Sequence, residues 1–180
     1  SAAINWEADR YIPFPIKDVN LQYQVISRKS VEAGGEMDVL LVAAPKRVTE
    51  KYLKVISLAG FSVFAMETEA SSLARALVKV GDPATIIVSV GGDSCVMVMV
   101  RDGNVIFTRS LAMGGANLTK ALMTEFKLPE DQAEEYKHAY GILKDKLGGK
   151  VANVLKPILE VIVSEVIKAL DYSRSHIEGY

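Results

Sequence analysis

From Val19 to Val25 apolar and polar residues alternate strictly, Val-Asn-Leu-Gln-Tyr-Gln-Val, the period of a half-buried strand. Beyond Gly34-Gly35 the pattern changes. Val39-Leu40-Leu41-Val42-Ala43-Ala44 is continuously apolar and predicts a strand covered on both faces, closed by Pro45. From Val48 the period becomes helical, with Val48, Tyr52, Val55, Ile56 and Ala59 on one face and Gly60 as the stop. Residues 61–66, Phe-Ser-Val-Phe-Ala-Met, read as another strand. Upstream, residues 4–12 predict a short helix that Pro13 and Pro15 end, because proline removes donors and restricts its predecessor.

A helical stretch over residues 69–80 carries Leu73, Ala76, Leu77 and Val80, and Gly81-Asp82-Pro83 punctuates it. Three strands follow in succession, over residues 86–90, 95–100 and 105–111. Gly91-Gly92-Asp93-Ser94 joins the first two; Asp102-Gly103 lies in the second turn and is a strong hairpin signal, since both positions accept positive φ. After Gly114-Gly115 the spacing predicts a helix over 117–126 with Asn117 as N-cap. Pro129 opens another, and Gly148-Gly149 precedes the longest, over 151–176, which kinks at Pro157 or starts near it. The change from a mixed α+β pattern to consecutive strands predicts two compact units, 4–67 and 68–180, with a boundary between Glu67 and Pro83.

Composition changes this picture little. The formal charge is −1 and 49% of residues are hydrophobic, so the chain can bury cores but has no general attraction to nucleic acid or to an anionic membrane. No apolar run approaches the roughly 18–20 residues of a membrane span. The first residues show neither the basic start nor the apolar core of a signal peptide, so the expectation is a soluble, cytoplasmic chain. The single cysteine, Cys95, excludes an intrachain disulfide and lies in an apolar run, which predicts a buried core residue.

The candidate chemistry is an anion turn. Glycines between two apolar strands let backbone N–H groups approach a phosphate with no Cβ in the way, so Gly91, Gly92 and Ser94 are candidate phosphate ligands; an ordinary tight hairpin is the alternative. Gly114-Gly115 before a helix is either an anion site at the positive helix end or a close packing point. No catalytic set is found: Ser89, Ser94 and Ser110 have no histidine partner, and no Walker loop, dinucleotide fingerprint or metal cluster is present. His138 and His176 read as surface positions on helices, and Met97 and Met99 as a core face. Glu165 and Lys168, at i, i+3, fit a solvated helix pair.

The stretch Arg10-Tyr11-Ile12-Pro13-Phe14-Pro15, followed by Val19-Asn20-Leu21-Gln22-Tyr23-Gln24-Val25, resembles the PilM family of type IV pilus assembly proteins. The resemblance continues through Asp38 to Ala44, Ala59-Gly60-Phe61, Glu67-Thr68-Glu69-Ala70, Asn104 to Arg109, Gly114 to Thr119 and Ser164-Glu165-Val166-Ile167. It implies an α/β (mixed α+β) fold, with an actin-like, ribonuclease H-like lobe preceded by a small inserted subdomain of the FtsA/PilM type. Residues 4–67 would be that subdomain, and 68–180 an incomplete second lobe. The first phosphate hairpin of the family would precede residue 1, and its adenosine-supporting glycine pair would follow residue 180.

By the same resemblance ATP and magnesium are the cofactors of the whole protein, with little affinity for this piece alone. The phosphate turn would comprise Ser89, Gly91, Gly92, Asp93 and Ser94. The family has Asp-x-Gly at the strand end where this chain has Ser89-Val90-Gly91. The missing carboxylate leaves at most a weak ATPase, with Asp93 as a partial substitute. Gly114, Gly115, Glu165 and Lys168 are further nucleotide candidates, the last two through the ribose.

The implied function is a cytoplasmic, nucleotide-responsive scaffold peripheral to the inner membrane. It would recruit the cytoplasmic tail of PilN together with other platform proteins, with self-association as a further option. The alternative is an active ATPase or a sugar-kinase-like phosphotransferase of the same superfamily. Ile12, Pro13, Phe14 and Pro15 are the candidate partner-binding corner; the competing reading has Phe14 filling the subdomain core.

Overall fold

Two antiparallel sheets organise the chain, one in each of two compact units, Ser1–Glu69 and Ala70–Tyr180. The computed structural model describes residue 4, residues 7–28, residue 35 and residues 37–176. The elements are β1 (Val19–Arg28), β2 (Met37–Pro45), α1 (Lys46–Leu58), α2 (Glu69–Leu77), β3 (Thr85–Val90), β4 (Cys95–Arg101), β5 (Asn104–Leu111), α3 (Gly115–Phe126), α4 (Glu130–Tyr140) and α5 (Lys150–His176). Short 3-10 turns lie at Ile16–Asp18 and Leu147–Gly149.

In the first unit β1 and β2 pair from Val19↔Pro45 to Arg28↔Met37, with a bulge between Val25 and Ser27. Asn20 Nδ2 donates to Thr49 Oγ1 at 2.9 Å, and Lys46 Nζ to the Lys17 carbonyl at 2.7 Å, which tie α1 to the strand and its preceding turn. Gly60 stops α1 as expected: the Phe61 N–H reaches back to the Ile56 carbonyl at 3.1 Å, the six-to-one bond of a Schellman end.

Three expectations fail here. The apolar run of β2 is only half-buried, not covered on both faces, because a two-stranded sheet has little to cover it. The face of Val48, Tyr52 and Val55 is exposed, and α1 buries no residue. Residues 61–66 form no strand: they have no ladder partner among the described residues, and Phe61 and Phe64 stand in solvent. Of the short helix expected over 4–12, Ile4, Glu7 and Ala8 are helical, followed by turns; Asn5 and Trp6 lie outside the described residues, as does Gly34.

The second unit rests on the meander β3-β4-β5. Central β4 pairs on both sides, Met97 with Val88 and Arg109, and its Met97, Val98, Met99 and Val100 are all buried. Asp102 and Gly103 take φ of 50° and 74° in the β4–β5 turn, as the hairpin signal requires. Ile162 of α5 packs on Cys95 and Met97; burying side chains of this size contributes about 1.5–3 kcal/mol each. A second cluster, Leu122, Ala133, Val151 and Leu155, joins α3, α4 and α5, and Leu159 packs against both clusters.

Helix α2 ends three residues before Val80, because the Asp82 carboxylate accepts the Lys79 N–H at 2.8 Å and turns the chain at Gly81. Helix α5 begins at Lys150 and runs through Pro157 without a break in its assignment, rather than starting at the proline. His138 is exposed, as expected; the side chain of His176 lies outside the described residues.

Among the described residues of this unit Glu165 is the buried charge, 9% exposed. Its Oε1 accepts from Lys168 Nζ at 2.7 Å, and its Oε2 is paired by charge with the Arg109 guanidinium of β5, without an aligned hydrogen bond. The Lys168 hydrogen bond and the Arg109 charge, opposed by burial, hold the carboxyl below its ordinary value of 4.5. A depressed folded value means that this contribution to stability is complete above pH 4.5 and is lost as pH falls through the folded value. Acidifying from about pH 5 to pH 3 should therefore lower the melting temperature of the wild type more than that of Glu165→Gln. Parallel melting curves across that range would contradict the pairing.

Candidate functional site

The two glycine pairs meet. Strand β3 ends at Val90 opposite Cys95, and the intervening turn is closed by the Gly91 N–H donating to the Ser94 carbonyl at 2.8 Å. The carbonyls of Gly91 and Gly92 then accept the N–H groups of Gly115 and Ala116 at 2.9 and 2.8 Å. These are the first two helical residues of α3, whose N–H groups no intrahelical carbonyl can reach, so the turn serves as the helix cap.

Such docking needs a residue without a side chain at Gly114. A Cβ there would lie 2.4 Å from the Gly92 carbonyl oxygen and 2.5 Å from that of Gly91, closer than atoms can approach. The N-cap is therefore Gly114, and Asn117 is displaced from the capping position predicted for it. It lies at the third helical residue, where its Oδ1 accepts the Gly114 N–H at 2.9 Å. The Gly115 N–H is spent on the Gly91 carbonyl, so the geometry of this pair is that of a close packing point.

Other donors of the turn remain unspent. The N–H groups of Gly92 and Asp93 and the Ser94 hydroxyl have no acceptor among the described residues, and all three residues are exposed. Clustered donors in a glycine turn suit phosphate oxygens. Asp93 is the one carboxylate of the turn, and no group of three or more metal-ligating side chains occurs among the described residues. Ser89 lies half-buried in β3, opposite Val96.

The structure brings a further group to this place. Lys137 of α4 donates to Glu134 Oε1 at 2.6 Å, to Thr119 Oγ1 at 2.8 Å and to the Gly115 carbonyl at 3.3 Å. Its three N–H bonds are thus committed, and it clamps α4 to the first turn of α3 with its charge balanced by Glu134. The Lys137 and Thr119 hydrogen bonds lower the pKa of Glu134, against a smaller opposing effect of desolvation. The signal in the sequence was the i, i+3 Glu-Lys spacing, which Glu134 and Lys137 share with Glu165 and Lys168. Glu165 itself pairs with Lys168 and with Arg109 on β5.

The corner at residues 12–15 belongs to the first unit. Phe14 is 50% exposed, so it does not fill that unit's core, whose buried residues among those described are Ala8 and Val19. The physical reason is local: Pro13 and Pro15 flank Phe14 in an irregular, non-helical stretch, and the 3-10 turn that follows buries no residue.

The model of the family described as type IV pilus assembly protein PilM matches residues 1–176. The chain belongs to the PilM family. Its structure is similar to that of a PilM–PilN type IV pilus biogenesis complex, with a TM-score of 0.77 and 25% identity over 98% of this chain and 51% of that one. It also resembles MreB5 of Spiroplasma citri bound to AMPPNP (TM-score 0.56, 17% identity, 70% of this chain and 47% of that one) and bound to ADP (0.57, 18%, 71% and 48%). The fold is accordingly actin-like. This PilM-family chain spans about half the length of those solved relatives.

The glycine contacts predict an asymmetry between neighbours. Gly114→Ala should destabilise the second unit by about 1–3 kcal/mol or more, as overpacking does, because both obstacles are backbone oxygens. Gly115→Ala should change stability little, since its Cβ would meet only Lys137 Nζ at 3.5 Å and the Gly91 carbonyl at 3.7 Å. Thermal denaturation of the two variants decides; equal losses would show that the turn and helix are not held by this approach.

Proposed function

We propose that this chain forms part of a nucleotide-responsive actin-like scaffold of type IV pilus assembly, one that binds the cytoplasmic tail of PilN at the inner-membrane platform. The observation that carries the reading is the match over 98% of the chain to a PilM–PilN complex. In this reading residues 4–67 are the small inserted subdomain and 68–180 the beginning of the second lobe.

The nucleotide part rests on the 91–94 turn. The N–H groups of Gly92 and Asp93 and the Ser94 hydroxyl would take phosphate oxygens, Asp93 would hold a magnesium-bound water, and Lys137 would hold the first turn of α3 in place behind them. Bound nucleotide would supply the negative charge that these donors lack a partner for. Likeness to MreB5 structures bound to AMPPNP and ADP supports a nucleotide at such a fold. Serine instead of aspartate at position 89 argues for response to nucleotide rather than rapid hydrolysis. Gly114 and Gly115 act here by placing the turn, and Glu165 and Lys168 by fixing α5.

The partner part rests on the 12–15 corner. Two prolines hold the segment with little conformational entropy left to lose on docking, and Phe14 is available in solvent. Phe14→Ala in the complete protein should leave the melting temperature within a degree or two of the wild type, since no buried aromatic is removed. Affinity for a synthetic PilN tail should drop severalfold by isothermal titration. Unchanged tail affinity would remove the corner from the binding site. Titration of ATP with magnesium into the same protein tests the nucleotide part, and rapid ATP turnover would favour an enzyme over a scaffold.

A further inference from the structure

On the second unit, α3 and α5 diverge above their shared core to leave a groove of about 960 Å³, open to solvent. The two helices that line it are joined by Leu122 of α3 and Val151 and Leu155 of α5, which are buried in one cluster. Its lining includes no residue of the partner corner at 12–15 and none of the unspent donors of the glycine turn.

Three features of its lining select an occupant. The first is charge. Lys120 and Lys150 line the groove, both exposed, and neither has an ion-pair partner among the described residues; Glu125 is the only carboxylate beside them. The second is the balance of donors. Asn117 Oδ1 is committed to the Gly114 N–H, so the amide group that Asn117 has left to offer is its NH₂. Lysines and this amide together favour a ligand rich in carboxylates.

The third feature separates a polypeptide from a simple anion. Pro157 has no N–H, so the Asn153 carbonyl one turn earlier is without its helical partner, and both residues line the groove. An acceptor beside the lysines favours an occupant that carries hydrogen-bond donors as well as negative charge, which a phosphodiester group does not. A peptide offers backbone N–H groups as well as side-chain carboxylates. Phe126 and Val154, half-buried in the lining, add an apolar seat for one side chain. We propose that the α3–α5 groove is a docking site for an acidic peptide segment of a partner protein, with an apolar anchor residue flanked by Asp or Glu. The site shares no residue with the PilN-tail corner, and the proposal is independent of that reading.

The test is fluorescence anisotropy on the whole chain at low salt. The probe is a short fluorescein-labelled peptide with a central Phe-Leu flanked by Asp and Glu; the comparison peptide has Asn and Gln in their place. The acidic peptide should bind about tenfold tighter or better than its amide analogue. The double variant Lys120→Glu/Lys150→Glu should abolish that preference, whereas Lys51→Glu/Lys54→Glu on exposed α1 should keep it. Circular dichroism should show all variants folded, since each lysine is exposed. Equal affinity for the two peptides, no binding, or binding indifferent to Lys120 and Lys150 would overturn the proposal. So would a result in which phosphatidylglycerol vesicles, and not the peptide, lose binding in the double variant, because the groove face would then be a membrane contact.

Discussion

The carbonyl groups of Gly91 and Gly92 accept the first two N–H groups of α3, and the rest of the second unit is arranged around that contact. A helix end must find acceptors somewhere, and here they come from a strand turn rather than from a capping side chain. Helix α3 is thereby held at the mouth of the sheet, which places Thr119 where Lys137 and Glu134 of α4 can reach it. Leu122, one turn further along α3, then meets Val151 and Leu155 of α5. Helix α3 thus meets the sheet through a polar contact at its first turn and the other helices through an apolar one a few residues later.

Much of this was legible in the residues. Alternation and apolar runs located all three strands of the meander, and Asp102-Gly103 located its hairpin, because a core strand and a two-residue turn are decided by local chemistry. The Ile-Pro-Phe-Pro stretch and its neighbours located the family, because two prolines about an aromatic are a rare local arrangement. The partners of the glycines were not legible. Gly91-Gly92 and Gly114-Gly115 each admit an anion or a neighbouring backbone, and nothing local says that the neighbour is the other pair. Asn117 illustrates the same limit: it has the chemistry of an N-cap, but the capping position went to the residue that could approach the turn. Lys137 was passed over because an i, i+3 Glu-Lys pair on a polar helix is ordinary until tertiary structure sets it beside a glycine turn.

The misreadings in the first unit share one cause. Periodicity reports which residues would prefer burial, not whether a covering element is present. The face of Val48, Tyr52 and Val55 and the run at residues 61–66 have the patterns of a core-facing helix and a strand, yet remain open among the described residues. Half-burial of β2 follows from the same circumstance, since two strands and one helix cannot enclose an apolar sheet.

Helix α5 has a mechanical consequence. Its 27 residues make a rod of about 40 Å at about 1.5 Å per residue. Glu165 pins it to β5 through Arg109, and Lys150 stands about 22 Å away along the same rod. The Lys150 end is fastened separately, through Val151 and Leu155 in the cluster with Leu122, so one rod is anchored to the sheet near one end and to the other helices near the other.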